Sequence, residues 1–288
     1  MTISPDVTGF FDDASNTITY VLAEPGGLGC AIIDSVLDYD PNSGRIWTES
    51  ADEVLAFVRE RGLEVEWLLE THAHADHFSA AHYLKEKLGA PVGIGTTVVE
   101  VQKLWREIYN FGPECRTDGS QFDRLFADGE RFRIGDLEVE VIETPGHTPA
   151  NITYIAGDAA FVADTIFQPD FGTARCDFPG GSARELYHSI QRILRLPDTT
   201  RLFTGHDYMP GGREPAWEST VGGQKATNVQ LKDRPDEAAF VRMREKRDAG
   251  LAMPRLILHA LQVNINAGRL PEPESNGTRY LKIPLDRL

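Results

Sequence analysis

Apolar residues fall along the chain in two rhythms. Residues 17–23 (TITYVLA) and 28–34 (LGCAIID) are β-branched, apolar runs that flank a Glu-Pro-Gly-Gly turn, and they read as a hairpin. Residues 51–62 repeat at helical spacing through Val54, Leu55 and Val58, with Leu63 just beyond. Ser50 followed by Glu53 predicts a capping box at the start of that helix. Residues 64–70 predict a half-buried strand, 78–88 a helix stopped by Gly89, and 91–95 a short strand. Val98, Val101, Leu104 and Ile108 suggest a further helix, followed by a loop through Gly112 and Pro113. Strands are then expected at 131–134, 137–143, 151–156 and 159–163, a helix at 182–196 and a strand at 201–204. Helices at 235–250 and 254–266 close the pattern.

The order is strands, helices, strands, helices, without strict alternation. That favours sheets packed together with helices outside over a doubly wound parallel sheet. Two regions follow. Residues 1–210 form the strand-rich unit, and residues 211–288 form a helical extension packed on it. No repeat or low-complexity segment interrupts them.

Composition narrows the functional classes. The 288 residues carry 44 acids against 29 bases, a formal charge of −15. Phosphate contacts need clustered Lys and Arg, so a nucleic-acid partner is not expected. An anionic membrane surface is disfavoured for the same reason. No apolar run approaches the ~18 residues of a spanning helix. The start, MTISPDVTGFFDD, lacks a basic region followed by an apolar run, so no signal peptide is expected. Three widely spaced cysteines (Cys30, Cys115, Cys176) form no CxxC motif and point to a reducing, cytoplasmic setting.

The histidines carry the chemistry. Five of the eight lie in loop-like segments just after predicted strands: His72, His74 and His77 in THAHADH, His147 in TPGHT and His206 in GHDY. A rigid sheet positioning a short loop is where binding groups gather. His72 and His74 are two apart, so an extended backbone points both to one side. Asp76 follows, placed as an N-cap of the next helix as well as a candidate ligand. Asp164 ends the apolar run AAFVAD, where an unpaired carboxylate would be costly. Imidazoles with carboxylates suit zinc, iron or manganese. His82, His188 and His259 sit inside predicted helices and read as ordinary structural residues.

These motifs resemble the metallo-β-lactamase superfamily. THAHADH, TPGHT, FVADT and GHDY occur in the family's order across residues 15–210. The resemblance implies an αββα sandwich with a helical extension and the metal at one edge of the sheets. In its hydrolases, the residues matching His72, His74 and His147 hold one metal, those matching Asp76, His77 and His206 a second, and Asp164 bridges.

A narrower resemblance follows Asp164. DTIFQPDFGTARCDFPGGS resembles the persulfide dioxygenase branch, which carries an Arg-x-Asp-Phe element there, here Arg175, Cys176, Asp177 and Phe178. That branch implies one Fe(II) per chain on His72, His147 and Asp164, with His74, Asp76, His77 and His206 around it. Zinc is the alternative metal. The expected partners are a small-molecule persulfide and O2, and a homodimer or homotetramer is the expected assembly. Asp76, His77, His206 and Tyr208 are the candidate catalytic groups. Arg175, Cys176, Asp177 and Tyr208 are the candidate substrate contacts, with Arg175 set to grip a carboxylate of a glutathione moiety. An ion pair with Asp177 is the competing reading for Arg175 and core packing the competing reading for Tyr208, while simple packing is the favoured reading for Cys176. A dinuclear thioester or lactone hydrolase similar to glyoxalase II is the competing reading of the whole. An intact ligand set argues against a sensor without turnover.

Overall fold

Two mixed sheets lie face to face between helices in the computed structural model, which describes residues 4–288. The first half runs β1 (Asp6–Asp12), β2 (Thr17–Ala23), β3 (Gly29–Ile33), β4 (Val36–Asp40), β5 (Arg45–Trp47), α1 (Glu49–Glu60), β6 (Glu64–Leu69), β7 (Phe78–Ser79), α2 (Ala81–Leu88), β8 (Val92–Gly95), α3 (Val98–Tyr109) and β9 (Arg124–Phe126). The second runs β10 (Arg131–Ile134), β11 (Leu137–Glu143), β12 (Ile152–Ala156), β13 (Ala159–Ala163), α4 (Ala183–Ile193), β14 (Arg201–Thr204), β15 (Glu218–Thr220), α5 (Val221–Thr227), α6 (Glu237–Asp248) and α7 (Ile257–Asn264). One sheet has the order β1-β2-β3-β6-β8-β9 and the other β10-β11-β12-β13-β14-β15, while β5-β4-β7 form a small third sheet.

Alternation along each strand builds the layers. Ile18, Tyr20 and Leu22 of β2 face the second sheet and meet Val139, Val141, Tyr154, Phe161 and Phe203 in the central core. Val21 and Ala23, one residue out of phase, face the opposite way and pack under α1, α2, α3 and α7. On the far side, Ala160 and Val162 of β13 face α4 and α6. The result is an αββα sandwich, the arrangement that the family resemblance implies.

Several boundaries differ from the sequence reading, each for a local reason. The first helix starts at Glu49 with Thr48 as its N-cap residue. Ser50 instead bonds Asp38 through its hydroxyl at 2.6 Å and its N–H at 3.1 Å, so the expected capping box does not form. A carboxylate acceptor from β4 outcompetes the weaker local pairing. The second helix starts at Ala81, because Phe78 and Ser79 pair with β4 as a short strand. Asp76 is therefore not an N-cap. Strands β1, β4, β5, β9 and β15 and helix α5 had no patterned signal. Beyond residue 210, β15 pairs antiparallel with β14, so the second sheet itself continues into the segment read as a helical extension. Helix α6 packs on α4, and α7 packs on α3 and β7. Among the described residues no helix is long and apolar enough to cross a membrane.

Candidate metal centre

The loops that carry the five histidines leave the ends of β6, β11 and β14 at one edge of the sandwich. Backbone shape brings them close. Ala163, the last residue of β13, has a positive φ of 49°, and the β13–β14 register shifts between Phe161 and Ala163. This uncommon conformation for an alanine turns Asp164 toward the loops. Gly205 permits the approach of β14, since a Cβ there would lie 2.5 Å from Asp164 Oδ1. Gly146 has φ +139°, and a Cβ there would strike the backbone of Leu186, so only glycine lets the TPGHT loop pass the start of α4.

Each imidazole is oriented by one ring nitrogen. Asp34 accepts the Thr71 N–H (2.8 Å) and the Thr71 hydroxyl (2.7 Å). Having donated to Asp34, the Thr71 hydroxyl accepts from His72 Nδ1 at 3.0 Å. His147 Nδ1 donates to the Arg175 carbonyl at 2.9 Å, because a carbonyl can only accept. His206 Nδ1 donates to the Asn16 carbonyl at 3.3 Å, and His77 Nδ1 lies 3.2 Å from the Thr17 hydroxyl. His74 Nε2 lies 3.0 Å from Asp34 Oδ1 and 3.4 Å from Glu70 Oε2.

The other nitrogens of His72, His74, His147 and His206 converge in clusters that do not include His77. His72 Nε2, His74 Nδ1, His77 Nε2 and Asp164 Oδ1 are buried atoms without a hydrogen-bond partner. His147 Nε2 lies 3.5 Å and His206 Nε2 3.3 Å from Asp164 Oδ2, and His206 Nε2 is 3.4 Å from Asp76 Oδ2. Two triads each place three donor atoms within 4.8 Å of one another: His72 with His147 and Asp164, and His74 with Asp76 and His206. Orphaned buried donors of mixed nitrogen and oxygen type are costly unless an ion satisfies them. The residues therefore fit a metal, with the held nitrogens as the supporting shell.

Electrostatics separates the triads. Burial, reinforced by His74 and His147, holds His72 well below the usual imidazole range, so it stays a neutral ligand. Burial also lowers His147, against the pull of Asp164. For His206, burial is outweighed by Asp164 and Asp76, which raise it to about 9. For His74, burial is outweighed by Asp34 and Glu70, which raise it well above the usual range. Carboxylate neighbours thus favour protonated imidazoles in the second triad, whereas burial favours neutral ones in the first.

A cavity of about 350 Å³ opens from this centre, walled by Asp76, His147, Asp164, Phe171, Phe178 and Tyr208 and reaching Arg247 and Arg255. Tyr208 stacks on His206 (5.8 Å between centroids), lies tilted against Phe171 (4.7 Å) and lines the cavity. Arg175 borders the cavity, but its guanidinium donates twice to Asp177 (2.7 and 2.6 Å) and once to the Ala252 carbonyl (2.7 Å). The Asp177 ion pair forms, and Asp177 makes no contact with the cavity.

Cys176 takes the packing role weighed for it and not that of a candidate substrate contact. Its thiol is buried with Ala183, Leu186 and Phe240, away from the cavity, because Asp248 accepts its backbone N–H at 2.9 Å and turns the side chain into the α4–α6 core. Burial pushes the Cys30 thiol up to about 12, and burial with Asp248 pushes Cys176 up as well. Only the half-buried Cys115 should react with a thiol reagent at pH 8 in the native protein, one group per chain, and all three after denaturation. Rapid native labelling of Cys176 would show that it faces solvent.

His82 and His188 lie on helix surfaces near Glu86 and Glu237, and His259 lies against Tyr39, all apart from the centre. Sequence reasoning missed Asp34, Glu70, Thr17 and Asn264, which hold the histidine loop. Nothing in their local patterning separates them from ordinary strand, turn and helix-end residues.

The family model described as "Metallo-beta-lactamase superfamily" matches residues 13–206. A "Beta-lactamase hydrolase-like protein" of Xylella fastidiosa (strain 9a5c) is 61% identical over 99% of this chain and 66% of its own length. The chain thus spans just under two thirds of that relative. "Persulfide dioxygenase ETHE1, mitochondrial" of Homo sapiens is 27% identical over 90% of this chain and 87% of its own. The crystal structure of ETHE1 from Myxococcus xanthus superposes with a TM-score of 0.73 at 28% identity, covering 92% of this chain and 100% of that one.

Proposed function

The chain belongs to the metallo-beta-lactamase superfamily, and within it we propose an iron-dependent persulfide dioxygenase that oxidises the sulfane sulfur of glutathione persulfide, or a similar low-molecular-weight persulfide, to sulfite with O2. One observation carries the reading. The Arg175–Phe178 element is built around a candidate ligand. The Arg175 carbonyl holds His147 Nδ1, the Phe178 ring meets the His147 imidazole edge-on at 5.0 Å, and the Arg175 guanidinium lies 4.9 Å over Phe178. This is the element by which the chain resembles the dioxygenase branch, and it sets the tautomer and angle of His147. The likeness to the human enzyme named persulfide dioxygenase supports the same reading.

His72, His147 and Asp164 would hold the iron, which supplies the redox chemistry and a common site for both reactants. The net change is balanced: persulfide anion, O2 and water give thiol, sulfite and a proton. The sulfane sulfur gives up four electrons and O2 takes them, so no organic cosubstrate is required. The chain's own residues orient the substrate and exclude water. Phe167, Phe171 and Phe178 give the cavity apolar walls beside the ligands. Tyr208 lines that space and its hydroxyl bonds no side chain or backbone group among the described residues, which leaves it free to donate to a bound sulfur or oxygen.

The substrate's far end meets Arg247 and Arg255. Neither has a carboxylate within ion-pair distance among the described residues, whereas Arg175 and Arg244 are both paired. Replacing both with glutamine should raise KM for glutathione persulfide by about tenfold, the low end for a hydrogen bond to a charged group. A persulfide without carboxylates should be unaffected. Equal KM values for wild type and the double variant on glutathione persulfide would remove these arginines from recognition.

A dinuclear thioester or lactone hydrolase is the second reading. The His74–Asp76–His206 triad favours it, because it offers a second set of ligands beside the first. Persulfide-dependent O2 uptake by iron-loaded protein, run beside thioester cleavage, tests one reading against the other.

A further inference from the structure

The histidine loop is held from the far end of the chain. Asn264, the last residue of α7, is buried and directs its whole side chain at residues 74–79. Its Oδ1 accepts the Ser79 N–H at 2.8 Å, and its Nδ2 donates to the carbonyls of His74 and His77, each at 2.8 Å. The orientation of the amide is chemically forced, since the reverse would set NH2 against an N–H and oxygen against two carbonyls. No other side chain of this size offers two donors and one acceptor in that arrangement. The helix that presents it is anchored in turn. Tyr109 of α3 donates to the Leu258 carbonyl at 3.0 Å, and Gln102 donates to the Ile265 carbonyl at 2.9 Å. Gly268, with φ +76°, passes so close that a Cβ would lie 2.6 Å from the Ser79 carbonyl oxygen.

We propose that Asn264 is a positioning residue of the metal centre, and that the C-terminal helix is a working part of that centre. Between Thr71 and the two-residue strand β7, residues 72–77 have no ladder of their own to fix their backbone. By bonding the carbonyls of His74 and His77 together, Asn264 sets the spacing of the residues on either side of Asp76. It also fixes their height relative to His72, which Thr71 and Asp34 hold from the other end. Asn264 does not border the cavity, so it acts on ligand geometry and not on substrate contact. The inference stands whichever reaction the centre performs.

The test uses the full chain freed of metal and titrated with Co(II), whose visible bands report ligand geometry without turnover. Two variants serve. Asn264→Asp keeps the shape and the Ser79 bond but sets oxygen against two carbonyls, and Asn264→Ser leaves a polar gap that water can occupy. Circular dichroism establishes that each is folded at the titration temperature. The expected result is Co(II) affinity weakened by about 10–100-fold, the range for outer-shell partners, with shifted visible bands. Iron-loaded variants should show reduced kcat with KM unchanged. Wild-type affinity and bands in either folded variant would overturn the proposal, because a purely structural amide would lower stability without altering the spectrum.

Discussion

Replacing His147 or Asp164 with alanine leaves a folded protein without tightly held metal and without measurable turnover. Both residues are loop groups at the sheet edge, so the central core of Tyr20, Phe161 and Phe203 is untouched. Each substitution takes one ligand from a triad of three, and two remaining donors hold an ion far less tightly. His72→Ala should behave alike. His74→Ala and His206→Ala should differ. Neighbouring carboxylates raise both histidines above the usual imidazole range, and as outer groups their loss should weaken metal retention by only about 10–100-fold. Metal content after gel filtration reads the difference. Equal loss of metal from His206→Ala and His147→Ala would show that both triads are filled, which is the dinuclear arrangement.

Arg244→Ala should lower unfolding free energy by about 3–5 kcal/mol, the cost of leaving one member of a buried ion pair uncompensated. Arg244 is 1% exposed and is held by Asp248 at 3.0 and 2.6 Å. Its remaining nitrogen donates to the Thr173 carbonyl at 3.0 Å, and Asp248 also accepts the Cys176 N–H. The pair therefore ties α6 to the strip that carries Arg175, whose carbonyl orients His147. Loss of the pair should loosen that strip, so metal retention should fall along with stability. Arg244→Met with Asp248→Leu, which removes both charges, should recover much of the stability, because an apolar pair of similar volume is often tolerated where a buried ion pair stood. Urea unfolding of the metal-free proteins checks both. A loss below about 1 kcal/mol for Arg244→Ala would mean that water reaches the guanidinium.

What was legible in the sequence is what is local. His72 and His74 alternate in an extended segment, and their rings do lie side by side, 4.1 Å apart. Asp164, a carboxylate at the end of an apolar strand, gained meaning only beside the histidine motifs. The central strands were legible because each buries one alternating face, as in Ile18, Tyr20 and Leu22. The remainder depends on groups distant along the chain. Whether Arg175 meets substrate or Asp177 is decided by the Ala252 carbonyl, 77 residues away. The capping role of Ser50 was lost to Asp38, a residue of a strand too short and too polar to announce itself. Asn264 reaches a loop 187 residues earlier through side-chain bonds to backbone, which leave no periodic trace. Cys176 is adjacent to Arg175, and only the fold shows that its thiol points into the helix layer instead.

The most direct test of the reaction is an oxygen electrode trace with glutathione persulfide on an iron-loaded preparation, with cleavage of a glutathione thioester measured on the same sample. The persulfide dioxygenase reading predicts O2 uptake that begins only on adding persulfide, one O2 for each sulfite formed, with little or no thioester cleavage and no need for an organic cosubstrate. Rapid thioester cleavage without persulfide-dependent O2 uptake would contradict it and leave a dinuclear hydrolase on the same fold.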